Sequence, residues 1–257
     1  MKIQVLSYNI HKGFDSVGFK FVLNEIRHAL RETKADILLL QEVVGENKKH
    51  KQKIEDWPSE SQFEFLADSV WKHFSYGKNA IFDERHHGNA ILSKFPIIQS
   101  ENINISTNRW ERRGLLHAVV ELPSAKKAHL HIFNVHLDLR HKGRLTQLSH
   151  IIERAYSHVP PGEPFILGGD FNDWSKSLSP MFHEHLGLYE SFKNVNGDHA
   201  RSFPSFLPLM SLDRVYYRNL KIGQATVLGK GPWDQLSDHL PLLVEFEVPS
   251  PFSEGGA

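Results

Sequence analysis

The sequence predicts an α/β fold of the α+β kind, with mixed β-sheets inside and helices packed on their outer faces. Three observations carry this. Strand-like segments recur from residue 2 to residue 247, some alternating apolar and polar residues and some continuously apolar. Helical spacing separates only some of them, and several strands follow one another directly, which opposes a doubly wound parallel sheet. The chain of 257 residues is 40% hydrophobic with 17 Phe, enough for a substantial core, and no biased stretch divides it, so residues 1–257 read as a single domain.

Taken in order, residues 2–9 set Ile3, Val5 and Leu6 among polar neighbours and end at Tyr8-Asn9, a strand. Phe19, Val22, Leu23, Ile26, Ala29 and Leu30 fall at helical spacing, which predicts an amphipathic helix over 19–33. Ile37 to Leu40 is a short apolar run, a buried strand ending at Gln41-Glu42. Residues 43–60 are mostly polar, and their Lys48-Lys49-His50-Lys51-Gln52-Lys53 run reads as a solvated loop. Later strands are expected at 88–93, 97–105, 113–122, 128–137, 164–169, 211–217, 221–228 and 240–247. A second helix fits 142–158, with Leu145, Leu148, Ile151, Ile152 and Ala155 turned inward. Loops are expected near 106–112 and 194–208, and the tail from Pro249 to Ala257 is expected to fray.

Charge and composition narrow the function. Thirty Lys and Arg balance 30 Asp and Glu, which argues against a DNA binder that works through a general basic excess but leaves room for a local basic groove. The absence of cysteine excludes disulfides, thiolate nucleophiles and Cys-based zinc sites. The N-terminus runs straight into a strand, without the apolar region of a secretory signal. No apolar run approaches the roughly 20 residues of a membrane span. A cytoplasmic monomer is the expectation.

One pattern points to chemistry. Apolar strands repeatedly stop at polar residues suited to phosphate or metal: Ser7-Tyr8-Asn9, Leu40-Gln41-Glu42, Asn134-Val135-His136-Leu137-Asp138, Gly168-Gly169-Asp170-Phe171-Asn172 and Ser237-Asp238-His239. Alone, each has a plain explanation as a turn residue, a helix cap or a surface carboxylate. Five strand ends on a rigid scaffold can instead converge on one hole. Asp170 and Asn172, two apart, point to one side if the chain is still extended there.

These blocks, with Gly88-Asn89-Ala90-Ile91-Leu92-Ser93 and Leu212-Asp213-Arg214-Val215, resemble the endonuclease/exonuclease/phosphatase superfamily, from residue 7 to residue 239. The resemblance implies a four-layer sandwich, two packed mixed β-sheets flanked by helices, as in deoxyribonuclease I. It also implies hydrolysis of a phosphate ester with Mg²⁺ or Mn²⁺. Hard cations of this kind prefer carboxylate and amide oxygens. Glu42 is then the principal metal ligand, with Asn9 and Asp238 contributing. Asp170 orients or deprotonates water, and Asn172 donates to the phosphate. His239 donates to the phosphate, acts as base, or both, with Asp213 fixing its tautomer. For Asp213 the competing reading is a salt bridge with the adjacent Arg214. His136 fits a second imidazole at the phosphate, supported by Asn134. Asn89 holds the polar network or contacts phosphate. Arg113 suits a fork onto phosphate oxygens, and Trp110 and Trp174 suit pocket walls.

The chain departs from the better-known branches. His11 stands where the AP endonucleases carry an acidic residue, and Met210-Ser211-Leu212-Asp213-Arg214 keeps only the Asp-Arg of the 5-phosphatase block. Asn9-Ile10-His11-Lys12-Gly13-Phe14 and Trp110-Glu111-Arg112-Arg113-Gly114 resemble the uncharacterised bacterial branch. The leading expectation is a phosphodiesterase acting on a small molecule or lipid head group. A DNA or RNA nuclease, a phosphomonoesterase and an inactive phosphate-binding module are the alternatives. The loops 43–60, 106–112 and 173–208 are expected to read the rest of the substrate.

Overall fold

The computed structural model describes residues 1–82, 85–108, 112–123 and 129–249; Trp110 and nearly all of the tail from residue 249 lie outside them. The first sheet contains β1 (Lys2–Asn9), β2 (Ile37–Asn47), β3 (His73–Phe82), β4 (Arg85–Ser93), β11 (Lys221–Val227) and β12 (Leu242–Glu247), in the order β11-β12-β1-β2-β4-β3. The second contains β5 (Ile97–Asn104), β6 (Gly114–Glu121), β7 (His129–His136), β8 (Phe165–Asp170), β9 (Tyr189–Glu190) and β10 (Asp213–Arg218), in the order β5-β6-β7-β8-β10-β9. Both sheets are mixed. Among the described residues β1/β2 and β7/β8 are the parallel pairs, and the other pairings are antiparallel.

The apolar runs decide the layering. Ile37 and Leu39 join Val5, Ile91, Ala118, Ile132, Ile166 and Val215 in the core between the sheets. Leu38 and Leu40, one residue out of phase, pack outward with Ile26 and Leu30 of α1 (Leu23–Glu32), Leu66 of α3 (Gln62–Ala67) and Trp233 of α7 (Trp233–Leu236). A strand covered on both faces reads as continuously apolar because neither face meets water. On the far side Phe133, Phe165 and Leu167 pack beneath Leu148, Ile151 and Ala155 of α4 (His141–His158) and Phe182 of α5 (Leu178–Leu186). This is the expected four-layer sandwich.

Several expectations need correction. The first helix begins at Leu23, not at residue 19. Phe21 instead bridges Phe14 and stacks on Trp57 at 4.8 Å, so tertiary contacts hold the preceding residues in a loop. Strand β2 does not stop at Glu42 but runs on to Asn47 through a bulge. The lysine run is not a loop: it folds as α2 (Lys48–Lys53), capped where His50 N donates to Asn47 Oδ1 at 3.0 Å. Residues 173–208 hold α5, β9 and α6 (Ser191–Asn196).

Candidate active site

Two parallel pairs build one edge of the sandwich: the end of β1 lies beside the bulge of β2, and the ends of β7 and β8 lie side by side. In β1/β2, Asn9 lies opposite Gln41. In β7/β8, His136 lies opposite Asp170, and on the other side of Asp170 the antiparallel β10 begins at Asp213. Gly169 makes this junction possible. Its φ is +139°, and a Cβ there would come 1.9 Å from the carbonyl oxygen of Val135. At β2, Leu40 pairs with Ala90 and Val43 with Gly88, so one extra residue bulges out of the strand. Glu42 sits in that bulge with φ +56°. Bulges re-aim side chains beside active sites, and this one turns Glu42 into the cavity.

Asp170 is the hub. Its Oδ2 accepts from Asn9 Nδ2 at 3.2 Å and lies 3.5 Å from His136 Nε2 and 3.8 Å from His239 Nε2. Its Oδ1 accepts from Asn172 N at 3.0 Å. On the far side of the second imidazole, His239 Nδ1 lies 2.7 Å from Asp213 Oδ2, and Ser202 Oγ donates to that same oxygen. Phe203 packs against the His239 ring, with centroids 4.9 Å apart. The adjacent Arg214 does not pair with Asp213; it donates to Asp173 O at 2.8 Å and to His199 Nδ1 at 3.3 Å.

Burial and charge set the two imidazoles apart. Burial alone would push His239 down, but Asp213 and Asp170 override it and raise its pKa to about 10. His136 is driven well below the ordinary histidine value, by burial first and then by the Arg113 charge. At neutral pH the site therefore holds one imidazolium and one neutral imidazole. The Asp170 carboxyl is pushed up by burial, with Asp213 adding and His239 opposing.

Glu42 has a different environment. Burial pushes its carboxyl up, yet it lies below the ordinary carboxylate range; with His136 neutral, the charge that opposes burial at neutral pH is that of Lys12, which also hydrogen-bonds to it. Lys12 Nζ donates to Glu42 Oε2 at 2.6 Å, from a side chain that is half exposed. Lys12 comes from the turn after β1, where His11 and Lys12 take positive φ. Asn9 Oδ1 accepts from His11 N at 3.1 Å, and His11 Nδ1 lies 3.8 Å from Asp238 Oδ1.

Two groups of side chains bear on a metal. Asp170, Asp213 and His239 offer ligand atoms within 4.8 Å of one another. Asp213 Oδ1 has no hydrogen-bond partner there, but both Asp170 oxygens already accept hydrogen bonds, and His239 as an imidazolium offers no lone pair to a cation. Glu42 fits better: it is an ionised, partly buried oxygen donor whose positive counter-charge is an ammonium able to swing out to water. Asn9 Oδ1 adds a hard oxygen nearby, and Asp238 reaches the same cluster through His11 rather than by direct contact with Glu42.

The cavity over this edge has a volume of about 700 Å³. Of the residues singled out in the sequence, it brings Glu42, Arg113, His136, Asp170, Asn172, Trp174 and His239 to one wall system. Asn172 lines it with φ +49° while donating to Leu137 O at 3.0 Å. Asn9 and Asp213 stand directly behind, bonded to Asp170 and His239. Asn89 and Asn134 are elsewhere, wholly buried in the seam between the sheets. Asn134 Nδ2 donates to Leu40 O and Ala90 O, both at 2.9 Å, and its Oδ1 accepts from Gln41 Nε2 at 2.8 Å. Asn89 Nδ2 donates to Gly114 O and Asn134 O, both at 3.2 Å. These amides tie the sheets together and do not line the cavity.

Sequence reasoning passed over Lys12, His87, Arg112, Leu139, Phe203, Met210 and Leu212 in the cavity wall. Lys12 carried a signal, a cation three residues past a strand-end Asn. The apolar wall residues carried none, because an isolated Leu or Met reads as core. Arg144 was also passed over. It is fully buried, donates to Leu139 O at 2.7 Å, and sets its guanidinium 5.0 Å from the Trp174 ring centre, fixing two wall segments.

Comparison with known proteins agrees with this geometry. The "Uncharacterized protein YbhP" of Escherichia coli K12 is 42% identical over 245 residues, 95% of this chain and 96% of that one. An endonuclease/exonuclease/phosphatase from Beutenbergia cavernae has a TM-score of 0.78 at 17% identity, covering 97% of this chain and 72% of that one. The structure of D. rerio TDP2 complexed with single-strand DNA product has a TM-score of 0.71 at 17% identity, covering 96% and 99%. Members of the family are metal-dependent phosphoesterases or nucleases. With residues 6–239 matching the Endonuclease/Exonuclease/phosphatase family, and the fold of that family built around Asp170, the chain belongs to it.

Proposed function

We propose that this protein hydrolyses a phosphodiester by attack of a metal-assisted water. The observation that carries the reading is Asp170 held between two imidazoles, one charged and one neutral, beside an ionised Glu42 on the floor of an arginine-edged cavity. Pairs of titratable groups pushed apart by their surroundings mark acid and base assignments.

Glu42, with Asn9 and Asp238 contributing, would hold the divalent ion, Mg²⁺ or Mn²⁺. Such an ion supplies charge to the phosphoryl oxygens and lowers the pKa of a water. Asp170, backed by Asn9 and by Asn172 N, accepts the proton of the attacking water. The water oxygen forms the new bond to phosphorus as the phosphorus–ester oxygen bond breaks; the ester oxygen leaves with the electron pair and takes up a proton from solvent, while Asp170 later returns the proton it accepted to solvent. His239, kept charged by Asp213, donates to a non-bridging oxygen where negative charge develops. Neutral His136 and the Asn172 amide complete the donor set. Arg113 and Arg112 at the rim suit the anionic ester.

The test is hydrolysis of bis-p-nitrophenyl phosphate beside p-nitrophenyl phosphate, with Mg²⁺, Mn²⁺ or EDTA, for wild type and Glu42→Ala. Metal-dependent turnover of the diester, lost in the variant, is the expected result. Preference for the monoester would replace this reading with a phosphomonoesterase. A second reading, cleavage of nucleic acid, draws support from the fold shared with TDP2 in complex with a DNA product. Nicking of plasmid at low salt is the measurement that favours it.

A further inference from the structure

The segment from Phe203 to Met210 has two ends of opposite character. Its base belongs to the site: Ser202 donates to Asp213, Phe203 packs on His239, and Phe203 and Met210 line the cavity. Its tip is apolar and stands in solvent, with Phe206 69%, Leu207 56% and Leu209 61% exposed. The tip is held rigidly. Leu209 N and Met210 N donate to Phe203 O, Leu207 N to Pro204 O, and Ser205 N to Asp238 O, all at 2.8–3.1 Å.

A second apolar loop lies alongside. Ser205 Oγ donates to Asp234 O at 3.0 Å, and Ser16 N to the next carbonyl, Gln235 O, at 3.1 Å. Consecutive carbonyls therefore anchor both loops at one end of the molecule. The loop through Ser16 exposes Val17 and Phe19, the latter 88%. Trp174 and Leu139, half exposed in the cavity wall, continue the apolar surface to the site. Proteins seldom leave so many large apolar side chains together in water unless something covers them.

Charge at the same end indicates what. Lys20 follows Phe19, Arg201 stands two residues before Phe203, and Arg112 lies in the cavity wall, all exposed. Acidic side chains there are engaged locally: Glu25 accepts from Lys20 Nζ at 3.3 Å, Asp15 from Phe19 N, and Asp238 from Ser237 Oγ, which leaves Arg112 and Arg201 as the cations facing outward. Protruding aliphatic and aromatic side chains with cations around them match the boundary of an anionic bilayer, where apolar groups enter the acyl region and Lys and Arg meet the head groups. Leu207, Leu209 and Val17 have no π-face for a nucleobase, which sets the surface apart from a single-strand binding platform.

We propose that the 203–210 and 15–20 loops dock this protein on an anionic phospholipid surface, so that the cavity takes a phosphate ester whose apolar part lies in that surface. The proposal rests on the phosphodiesterase reading for its substrate but not for the docking itself. The experiment is co-sedimentation of the full chain with vesicles of phosphatidylglycerol and phosphatidylcholine, for wild type and for Phe206→Ser/Leu207→Ser/Leu209→Ser. Wild type should pellet with the vesicles, and the triple variant should bind about tenfold more weakly or less. Turnover of soluble bis-p-nitrophenyl phosphate should be unchanged, since these three side chains lie outside the site. That soluble assay tests the phosphodiesterase reading separately. Leu207→Glu, a single change at an exposed tip, should weaken vesicle binding in the same direction if the triple variant folds poorly. Failure of wild type to pellet would overturn the proposal, as would equal binding by wild type and both variants. Loop-dependent binding of single-stranded oligothymidine without vesicle binding would overturn it in favour of nucleic acid. Loop-dependent self-association with no vesicle binding would overturn it in favour of a second copy of the chain.

Discussion

Replacing Asp213 by Asn changes little but charge, and it isolates the role assigned to the pair behind the site. Asp213 Oδ2 lies 2.7 Å from His239 Nδ1, and both residues are buried. A hydrogen bond between charged groups contributes ~1.5–3 kcal/mol, and one to a neutral amide in the same place ~0.5–1.5 kcal/mol. If the His239 imidazolium donates to the developing phosphorane charge as proposed, it loses about 1–2 kcal/mol of support, or roughly 5–30-fold in kcat. Removing the imidazole outright, in His239→Ala, should cost about 10²–10⁴-fold. If Asp213 acts only through His239, adding Asp213→Asn to His239→Ala should change kcat by less than about twofold, since residues that act as a unit are not additive. The assay is steady-state hydrolysis of bis-p-nitrophenyl phosphate at saturating Mn²⁺, with circular dichroism to confirm that each variant folds. Full additivity in the double variant would refute the relay from Asp213 to His239. So would a loss from Asp213→Asn as large as that from His239→Ala, because Asp213 would then serve the reaction in its own right.

Other outcomes follow from the same geometry. Chelation with EDTA should abolish turnover and added Mn²⁺ restore it, while Glu42→Gln should raise the Mn²⁺ needed for half-activation at least about tenfold, as loss of a charged ligand implies. Lys12→Met should lower that concentration, because the ammonium paired with Glu42 occupies the position of a cation; an unchanged or raised requirement would remove Lys12 from the metal argument. His117 is held neutral in the fold, its pKa lowered to about 3 by burial and then by Arg154. Its depressed pKa means that the unfolded chain binds the proton more readily. Stability from this group is therefore present above about pH 6.5 and lost as pH falls toward 3, by up to ~1.4 kcal/mol per pH unit. His117→Gln should flatten the fall in Tm between pH 6.5 and 5, and an unchanged slope would show that other groups govern acid lability. Gly169→Ala forces a Cβ toward Val135 O at a φ of +139° and should cost at least about 3 kcal/mol, some 6–12 °C in Tm; a melt within two or three degrees of wild type would show that the β7/β8 junction can relax.

What the sequence disclosed and what it hid divide along physical lines. Strands covered on both faces were legible because no polar residue interrupts them, as at Ile37 to Leu40. The polar residues that close such strands were legible for the same reason: Asn9, Glu42, His136 and Asp170 each break an apolar pattern. The alternation could not show that β2 continues past Glu42, since a bulge adds a residue and shifts the phase of everything after it. The pattern also could not separate Asn89 and Asn134 from the site residues. A buried amide that crosses between sheets and one that meets substrate have the same sequence setting, a polar residue in an apolar strand. Arg144 and Arg214 were hidden more deeply. Arginine reads as surface, and only the fold supplies the carbonyls and the buried Asp173 around which these two are enclosed.

The placement of the site follows from pairing direction. Parallel neighbours run toward the same edge, so the end of β1 at Asn9 lies beside the Gln41-Glu42 bulge of β2 in one sheet, and the ends of β7 and β8 set His136 beside Asp170 in the other. Antiparallel neighbours begin where those strands end, which brings Asp213 beside Asp170 and sets Ser237, just before β12, against Asn9 O at 2.7 Å. Glu42 and Asp170 therefore belong to different sheets, and their separation depends on how the sheets are seated on one another. The side chains that set this seating are the amides in the seam, with Asn134 of the second sheet bonded to Leu40 and Ala90 of the first, two residues from Glu42. An apolar seam would leave the sheets free to slide over side chains of similar shape; directional hydrogen bonds to fixed carbonyls allow a single register. On the proposed mechanism the buried amides act on the chemistry from a distance, holding Glu42, the proposed metal ligand, at a set distance from Asp170, the proposed proton acceptor.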